Sequence, residues 1–465
     1  MKKKSLEKIS VFGLVLLITG AIDNVRNFPA TALFGSSLIF FFVLSAVMFL
    51  IPVALIAAEL SSTQSEDEGG IYAWVREAFG PYWAFFTIWL QWINTMVWYP
   101  TILSFIAATL AYLINPELAQ SKWYILSVVL VVFWALTCLG LSGLRASAKF
   151  AGFSAIIGMI VPIVLLIGFA LYWIYLGHPI AIHFDKHSLL PQWDHSQSWV
   201  SLTAIVTSFL GMELAAVHVR NINEPQHNFP RALFFSVILI IITMILGSLA
   251  IAFVLPNQQI SLVQGVLQAF AFFFKAYNLE YLMPLLVVAL LIGSLGNMVN
   301  WIISPAKGLL MAADHGMLPP WLTRLNEHGV ASRILLLQAG LVTIICSVYL
   351  FLKSINQIYW LFTALSTELY VIMYVMMFAT AIRLKRHHEQ PRCHFSIPGG
   401  RIGYYATCFL GLIGCSITLI VGFFPPQEAL DMGSAVHFRV IFSAGILLMI
   451  APVFLFFRYK RNHAR

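Results

Sequence analysis

Charged residues are scarce in this sequence: Asp, Glu, Lys and Arg together account for 10% of its 465 residues. A soluble domain typically has about 25% charged residues, so the composition excludes an ordinary soluble protein. Hydrophobic residues account for 60% of the chain, and they occur in long runs. This composition is typical of a protein embedded in a lipid bilayer.

Cysteines and catalytic motifs are also scarce. Cys138, Cys346, Cys393, Cys408 and Cys415 have no metal-ligand spacing, and none lies in a predicted outer loop. We therefore expect no disulfide and no metal site. The sequence contains no GxxxxGK[ST] phosphate loop, no nucleophile elbow and no zinc signature. It predicts neither an enzyme nor an ATP-driven pump, and it indicates no cofactor.

The apolar runs predict an all-α polytopic membrane protein with about twelve transmembrane helices. A hydrocarbon core about 30 Å thick requires roughly 20 apolar residues per helix. Backbone groups in lipid must be satisfied within the protein, which favours helices for segments this long. We expect a single transmembrane domain over residues 1–465. The predicted spans are residues 10–34, 36–60, 81–114, 122–141, 150–176, 199–221, 231–255, 281–312, 333–352, 356–382, 402–423 and 436–457.

Lysine and arginine are distributed unevenly over the predicted loops. If the N-terminus is cytoplasmic, most of them lie at the inner ends of spans, for example Arg383, Lys385, Arg458 and Arg461. This distribution follows the positive-inside rule. It predicts a multi-pass protein of the bacterial inner membrane with both termini in the cytoplasm. It also accounts for the net charge of +8 without a nucleic-acid partner.

The first span contains a polar interruption, DNVRN, at residues 23–27. A charged residue within a bilayer costs about 2.5–3.5 kcal/mol on insertion scales, so such residues usually face a protein interior or a water-filled path. Gly20 and Pro29 flank the interruption, and both residue types weaken a continuous helix. The sequence therefore predicts a broken helix.

We expect the first half of this helix over about residues 11–19, then a short unwound link, and a second half that continues through Phe34. Unwound backbone exposes N–H and C=O groups, which bind the carboxylate and the amine of a zwitterion. The alternative is that Asp23 and Arg26, three residues apart, form a buried ion pair with each other.

A second interruption is expected five spans later if the spans form inverted repeats. The sixth span has Gly211 near mid-membrane and Glu213 two residues later. Glu213 either contacts a substrate or a proton, or is a structural acid that is hydrogen-bonded to unwound backbone. The two breaks predict repeats over about residues 10–176 and 199–382, followed by two appended helices over about 402–457.

Five stretches of the chain are distinctive as sequence motifs: IPVALIAAEL, EGGIYAWVREAFGP, SFLGMELAAVHVRNINEPQHNFPRA, LLIGSLGNMVNWIISPAKGLLMAADHGMLP and FSIPGG. These stretches resemble the amino acid–polyamine–organocation superfamily of transporters, and within it the glutamate/GABA antiporter family. This resemblance implies a five-plus-five inverted repeat with two extra helices, and exchange of amino acids by alternating access. Asn297 stands where the antiporter family leads us to expect a glutamate, and Met298 where the superfamily can have an aromatic gate residue.

Two sets of candidate site residues follow. For the second set, the alternatives are hydrogen bonds between helices, aromatic packing and, for Glu59, a plain acid at a helix end. The candidate substrate-binding residues are Gly20, Ala21, Ile22, Asp23, Asn24, Arg26, Gly211, Met212, Glu213, Asn297 and Met298. The candidate gating or supporting residues are Glu59, Gln91, Asn94, Tyr99, Trp301, Tyr370 and Tyr374.

The favoured function is secondary active transport of an amino acid, as an antiporter for acidic or neutral substrates of the glutamate/GABA type. Arg26 in the membrane argues against a dicationic substrate, since like charges repel strongly at low dielectric. Two alternatives with the same fold are an antiporter of cationic amino acids or polyamines and a proton-coupled symporter. A membrane sensor that binds a ligand without transporting it is the alternative from another class. The expected partners are amino acids, the lipid bilayer and, in some of these cases, protons.

Overall fold

The computed structural model describes residues 10–63, 70–143, 153–154, 156–190, 196–213, 224–352, 354–387, 395–425 and 435–463. Within these ranges all regular secondary structure is helical, and no strand is present. The prediction of an all-α polytopic membrane protein is confirmed.

The described ranges contain nineteen α-helices, which are numbered in chain order, and a few short 3₁₀ and π turns connect them. They are α1 (Val11–Ile22), α2 (Phe28–Ala32), α3 (Leu38–Ser45), α4 (Ile51–Thr63), α5 (Ile71–Phe79), α6 (Pro81–Ile114), α7 (Lys122–Leu141), α8 (Val161–Tyr175), α9 (Lys186–Leu189), α10 (Ser196–Ser208), α11 (Pro225–Val254), α12 (Gly265–Ala276), α13 (Met283–Leu310), α14 (Ser332–Cys346), α15 (Val348–Phe351), α16 (Ile355–His387), α17 (Gly400–Val421), α18 (Ala435–Ile450) and α19 (Pro452–His463).

Eleven helical segments of the described ranges are long and apolar enough to cross a membrane. They coincide with eleven of the twelve predicted spans. The predicted sixth span, residues 199–221, begins with α10 and continues into residues 214–223, which lie outside the described residues. The division into two inverted repeats stays a prediction.

The bundle has a buried centre and a lipid-facing edge. In α16, 83% of the most apolar window is buried, and the corresponding value for α6 is 72%. These two long helices pack along each other. The last span, formed by α18 and α19, has only 11% of its window buried, so it lies at the periphery.

The first span is broken, although its first half is longer than predicted. Helix α1 continues through Gly20 to Ile22, and its cap residue Asp23 is extended. A 3₁₀ turn over Val25–Asn27 then leads into α2, which ends at Ala32. Pro29 lies in the first turn of α2, where a missing N–H leaves no hydrogen bond unmade. Gly20 therefore does not end the helix, since a single glycine costs only about 1 kcal/mol.

The second span has a π turn at Ala46–Leu50, directly before α4. Pro52 follows in the first turn of α4 and has no N–H to donate, so the wider hydrogen-bond spacing of the π turn lies directly before a residue that cannot continue the backbone ladder. Gly414 of α17 packs against this turn. A methyl group on Gly414 would lie 2.3 Å from the backbone oxygen of Met48. The close contact fixes how the eleventh span packs on the second.

We predict that Gly414→Ala destabilises the fold. The added methyl group would meet backbone rather than a movable side chain, and overpacking of this kind typically costs about 1–3 kcal/mol. The measurement is the melting temperature of the detergent-solubilised protein, which we expect to fall.

Gly340→Ala in α14 is the matched control, because no atom lies within 4 Å of the added methyl group. It should leave the melting temperature unchanged or raise it slightly, because alanine favours a helix over glycine by about 1 kcal/mol. Equal effects of the two substitutions would contradict the assigned contact between Gly414 and Met48.

Candidate functional site

A cavity of about 130 Å³ lies beside the break in the first span. Its wall combines residues 22–27 with side chains of α6, α13 and α16, the end of α10, and the π turn before α8. The cavity therefore lies where several broken or bent segments meet inside the bundle. At this position a ligand has access to backbone N–H and C=O groups that would be hydrogen-bonded internally in a continuous helix.

Asp23 and Arg26 both line the cavity and are buried, but they contact different helices. The Oδ2 atom of Asp23 accepts a hydrogen bond from the hydroxyl of Thr243 in α11 at 2.6 Å. Arg26 donates a hydrogen bond from a terminal guanidinium nitrogen to the hydroxyl of Thr101 in α6, also at 2.6 Å. Its guanidinium carbon lies 5.2 Å from the ring centroid of Trp98. The structure thus separates the two charges instead of pairing them.

The backbone of the break is held by local hydrogen bonds. Asp23 and Asn24 are both extended, and the Asp23 N–H donates to the carbonyl of Thr19. The side-chain oxygen of Asn24 accepts a hydrogen bond from the backbone N–H of Arg26 at 3.0 Å. The last carbonyls of a helix have no partner within the helix. The end of α1 therefore presents carbonyl oxygens beside the cavity.

The second break lies at Gly211, which has a φ of 97°. This left-handed conformation is readily adopted by glycine and rarely by other residues. Gly211 lines the cavity, and its N–H donates a hydrogen bond to the hydroxyl of Tyr374 at 3.0 Å. The same hydroxyl donates to Oε2 of Glu213. Tyr374 therefore connects the two sides of this break.

Glu213 is held by three side chains behind the cavity wall. Tyr370 donates a hydrogen bond to its Oε1 atom at 2.7 Å, and Tyr374 donates to Oε2. The Gln91 amide also donates to Oε1, at 3.4 Å. Both carboxylate oxygens therefore accept hydrogen bonds from side chains of α6 and α16, and the role of Glu213 as a substrate contact or a structural acid stays a prediction.

Ten of the candidate residues line the cavity. The side chains of Ala21 and Asn297 lie outside what the structure describes. Met212, Glu213, Gln91, Tyr99 and Tyr374 lie outside the cavity wall, and Glu59 is at the far end of α4. The ten lining residues are Gly20, Ile22, Asp23, Asn24, Arg26, Asn94, Gly211, Met298, Trp301 and Tyr370.

Two of the gating candidates connect α6 to neighbouring helices. Asn94 accepts a hydrogen bond from Ser366 of α16. The hydroxyl of Tyr99 donates to the backbone carbonyl of Trp301 in α13 at 2.8 Å. It also accepts from the amide of Gln338 in α14, at 3.3 Å. These contacts fix the cavity-facing side of α6.

Glu59 forms a separate cluster at the end of α4. Lys385 of α16 donates to its Oε1 atom at 2.7 Å, and the backbone N–H of Ile397 donates to Oε2 at 2.8 Å. The same ammonium lies 4.6 Å from the ring centroid of Tyr404 in α17. Glu59 thus ties α4, α16 and the segment before α17 together.

Comparison with known proteins identifies the family. The model of the family described as amino acid permease matches residues 9–452. This chain belongs to the amino acid permease family. An uncharacterized transporter of Legionella pneumophila is 40% identical over 449 residues, which cover 96% of each chain. A glutamate/gamma-aminobutyrate antiporter of Lactococcus lactis is 27% identical, and the alignment covers 98% of this permease and 92% of the antiporter.

Among solved structures, a manganese transporter of Eremococcus coleocola matches with a TM-score of 0.55 and 16% sequence identity. The match covers 99% of each chain and concerns the fold alone. These findings confirm the resemblance that the sequence motifs indicated. The permease is a transporter of the amino acid–polyamine–organocation superfamily rather than an enzyme.

Sequence reasoning missed several cavity residues. Thr95 and Trp98 of α6 line the cavity, and Trp98 follows Asn94 by four residues, so the helical period would have placed it on the same face. Gly158 and Gly293 also line it and touch each other. A methyl group on Gly158 would lie 2.2 Å from the Cα atom of Gly293. No sequence signal indicates this contact, because it joins two spans that are distant in the chain.

We predict that Tyr374→Phe destabilises the permease more than Tyr370→Phe. The first substitution leaves both the Gly211 N–H and Oε2 of Glu213 without their hydrogen bonds to the tyrosine hydroxyl. A buried polar group without a partner costs about 1–3 kcal/mol. After Tyr370→Phe, Oε1 of Glu213 still accepts a hydrogen bond from Gln91.

The measurement is the melting temperature of both variants in the same detergent. Tyr404→Phe is the control, since that hydroxyl donates to the carbonyl of Ala381, away from both breaks. If Tyr370→Phe lowered the melting temperature as much as Tyr374→Phe, the special role of Tyr374 at the second break would be contradicted.

Proposed function

We propose that this permease is an antiporter that exchanges an acidic or neutral amino acid, of the glutamate/GABA type, by alternating access. We also propose that it lies in the bacterial inner membrane with both termini in the cytoplasm. The 27% identity to a glutamate/gamma-aminobutyrate antiporter over nearly the whole chain supports the substrate class. The observation that carries the proposal is the separation of Asp23 and Arg26 on the wall of one cavity.

The break offers complementary groups to an amino acid. The end of α1 presents carbonyl oxygens, which suit an ammonium group. The start of the 3₁₀ turn before α2 is the positive end of a short helical dipole, which suits a carboxylate. The unwound segment therefore recognises the part of the molecule that all amino acids share.

Arg26 supplies selectivity for an additional negative charge. Within the described part of the chain its guanidinium contacts a hydroxyl and an aromatic ring, and no carboxylate forms an ion pair with it. An uncompensated buried charge is costly, and loss of a buried partner typically costs about 3–5 kcal/mol. The side-chain carboxylate of an acidic substrate would compensate this charge with strong, charge-assisted hydrogen bonds.

The second candidate function is exchange of cationic amino acids or polyamines, and Asp23 is the observation that favours it. Oδ2 of Asp23 accepts a hydrogen bond from Thr243, and Oδ1 has no hydrogen-bond partner among the described residues. This carboxylate suits one ammonium group, such as the amine of a zwitterion. A dication would bring its second charge towards Arg26, so we place this function second, together with proton-coupled symport.

The test is exchange in proteoliposomes that are preloaded with glutamate, GABA, arginine or leucine and given each labelled substrate in turn. We expect glutamate to exchange with GABA, and Arg26→Ala to reduce glutamate exchange by about 10-fold or more, the effect of losing roughly 1.4 kcal/mol of binding. Arg26→Lys should also be impaired, because an ammonium does not reproduce the planar, bidentate geometry of a guanidinium.

Arg324→Ala is the control, since it removes an exposed cation outside the cavity. It should exchange like the wild type. Exchange of arginine or a polyamine that persists in Arg26→Ala would overturn the acidic substrate class and leave the fold unaffected. Binding without exchange of any substrate pair would favour the sensor alternative.

A further inference from the structure

The peripheral last span borders two clefts near the end of the chain. The first cleft lies between α6 and α19 and has a volume of about 750 Å³. Its floor is aromatic, and it includes Tyr82, Trp83, Phe86, Phe454 and Phe457. Trp83 is 51% exposed and Phe454 is 63% exposed. Such a large accessible aromatic surface at the edge of a membrane protein faces lipid.

Two arginines close one end of this aromatic cleft. Arg458 and Arg461 line the cleft three residues apart on α19, and both are exposed. Neither has an ion-pair partner within the described residues. Arginines at this spacing lie on the same side of a helix. The cleft therefore combines an apolar floor with two adjacent, uncompensated cations.

The second cleft lies on the other side of α19 and extends the basic surface. It has a volume of about 770 Å³ and is lined by Lys307, His315, Tyr459 and Lys460, among others. The ammonium of Lys460 lies 5.1 Å from the ring centroid of Tyr82, which belongs to the first cleft. The two clefts thus form one continuous basic and aromatic region around α19.

We propose that the cleft between α6 and α19 is a binding site for an anionic phospholipid. The phosphate group lies between Arg458 and Arg461, and the acyl chains lie along the aromatic floor. Guanidinium groups bind phosphate oxygens in bidentate geometry, which makes arginine well suited to this role. Basic pockets between transmembrane helices near a membrane surface are known to hold anionic headgroups.

Charge complementarity favours a lipid over a second copy of this chain. In a two-fold symmetric dimer the same patch lies on both sides of the interface. A dimer through this cleft would therefore bring Arg458, Lys460 and Arg461 close to the same cations of the other copy. An anionic lipid instead neutralises them and fills the apolar floor. Lipid binding in this cleft does not depend on which substrate the permease transports.

The test measures lipid binding directly, by native mass spectrometry of the purified full-length protein. Phosphatidylglycerol and phosphatidylcholine with identical acyl chains are added in equal amounts. We expect the wild type to retain phosphatidylglycerol about 10-fold better than phosphatidylcholine. The double substitution Arg458→Gln/Arg461→Gln should abolish this preference, because it removes both groups that bind the phosphate.

The matched control is Arg386→Gln/Arg401→Gln, which removes two exposed arginines from the ends of α16 and α17. This control should keep the preference of the wild type. A second readout uses brominated phosphatidylglycerol, which should quench Trp83 fluorescence, as shown by comparison with Trp83→Phe. Quenching that survives the Arg458→Gln/Arg461→Gln change would overturn the assigned position of the headgroup.

Three further outcomes would contradict the site. Equal retention of the two lipids by the wild type would exclude selectivity for an anionic headgroup. Equal losses in both double variants would mean that the total charge of the protein, rather than this cleft, attracts the lipid. A dimer that dissociates on Arg458→Gln/Arg461→Gln would assign the cleft to a second copy of the chain.

Discussion

The site depends on two hydrogen bonds that hold the side chains of Asp23 and Arg26 apart from each other. Two opposite charges three residues apart would ordinarily neutralise each other within one helix. Here the backbone is extended at Asp23 and Asn24, and Asp23 contacts Thr243 of α11 while Arg26 contacts Thr101 of α6. The break is thus held open by two different helices, because polar groups within a bilayer must find partners inside the protein.

The second break is held by a different set of contacts. Gly211 supplies the backbone conformation, and Tyr374 bonds both its N–H and the carboxylate of Glu213. Tyr374 belongs to α16, the span with the most buried window, which also packs along α6. Helix α6 supports both breaks, the first through Thr101 and the second through Gln91, which donates to Glu213. A movement of either broken helix relative to this support would change the shape of the cavity between them.

Much of the fold could be predicted from the sequence, because it depends on local composition. Apolar runs give the spans, and the charges at residues 23–27 indicate the first break. The end of α1 at Ile22 could not be predicted, since one glycine lowers helix stability too little to end a helix that packs against α11. The hydrogen-bond partners of Asp23 and Arg26 could not be predicted either, because they lie on helices that are distant in the chain.

Contacts within the candidate site were also difficult to predict from the sequence, because most of them join distant parts of the chain. Glu213 is an obvious candidate in the sequence, but the hydroxyls of Tyr370 and Tyr374 and the Gln91 amide bind its carboxylate behind the cavity wall. The contact between Gly158 and Gly293 depends on how two spans cross, which no local pattern encodes. Trp98 is the exception, since the helical period relates it to Asn94.

The most direct test of the central claim is a cryo-EM structure of the permease with glutamate bound. We predict ligand density in the cavity beside residues 23–26, with the side-chain carboxylate at hydrogen-bonding distance from the Arg26 guanidinium and the amine facing the end of α1. A ligand elsewhere in the bundle, or an Arg26 side chain paired with Asp23 in the bound state, would contradict the account.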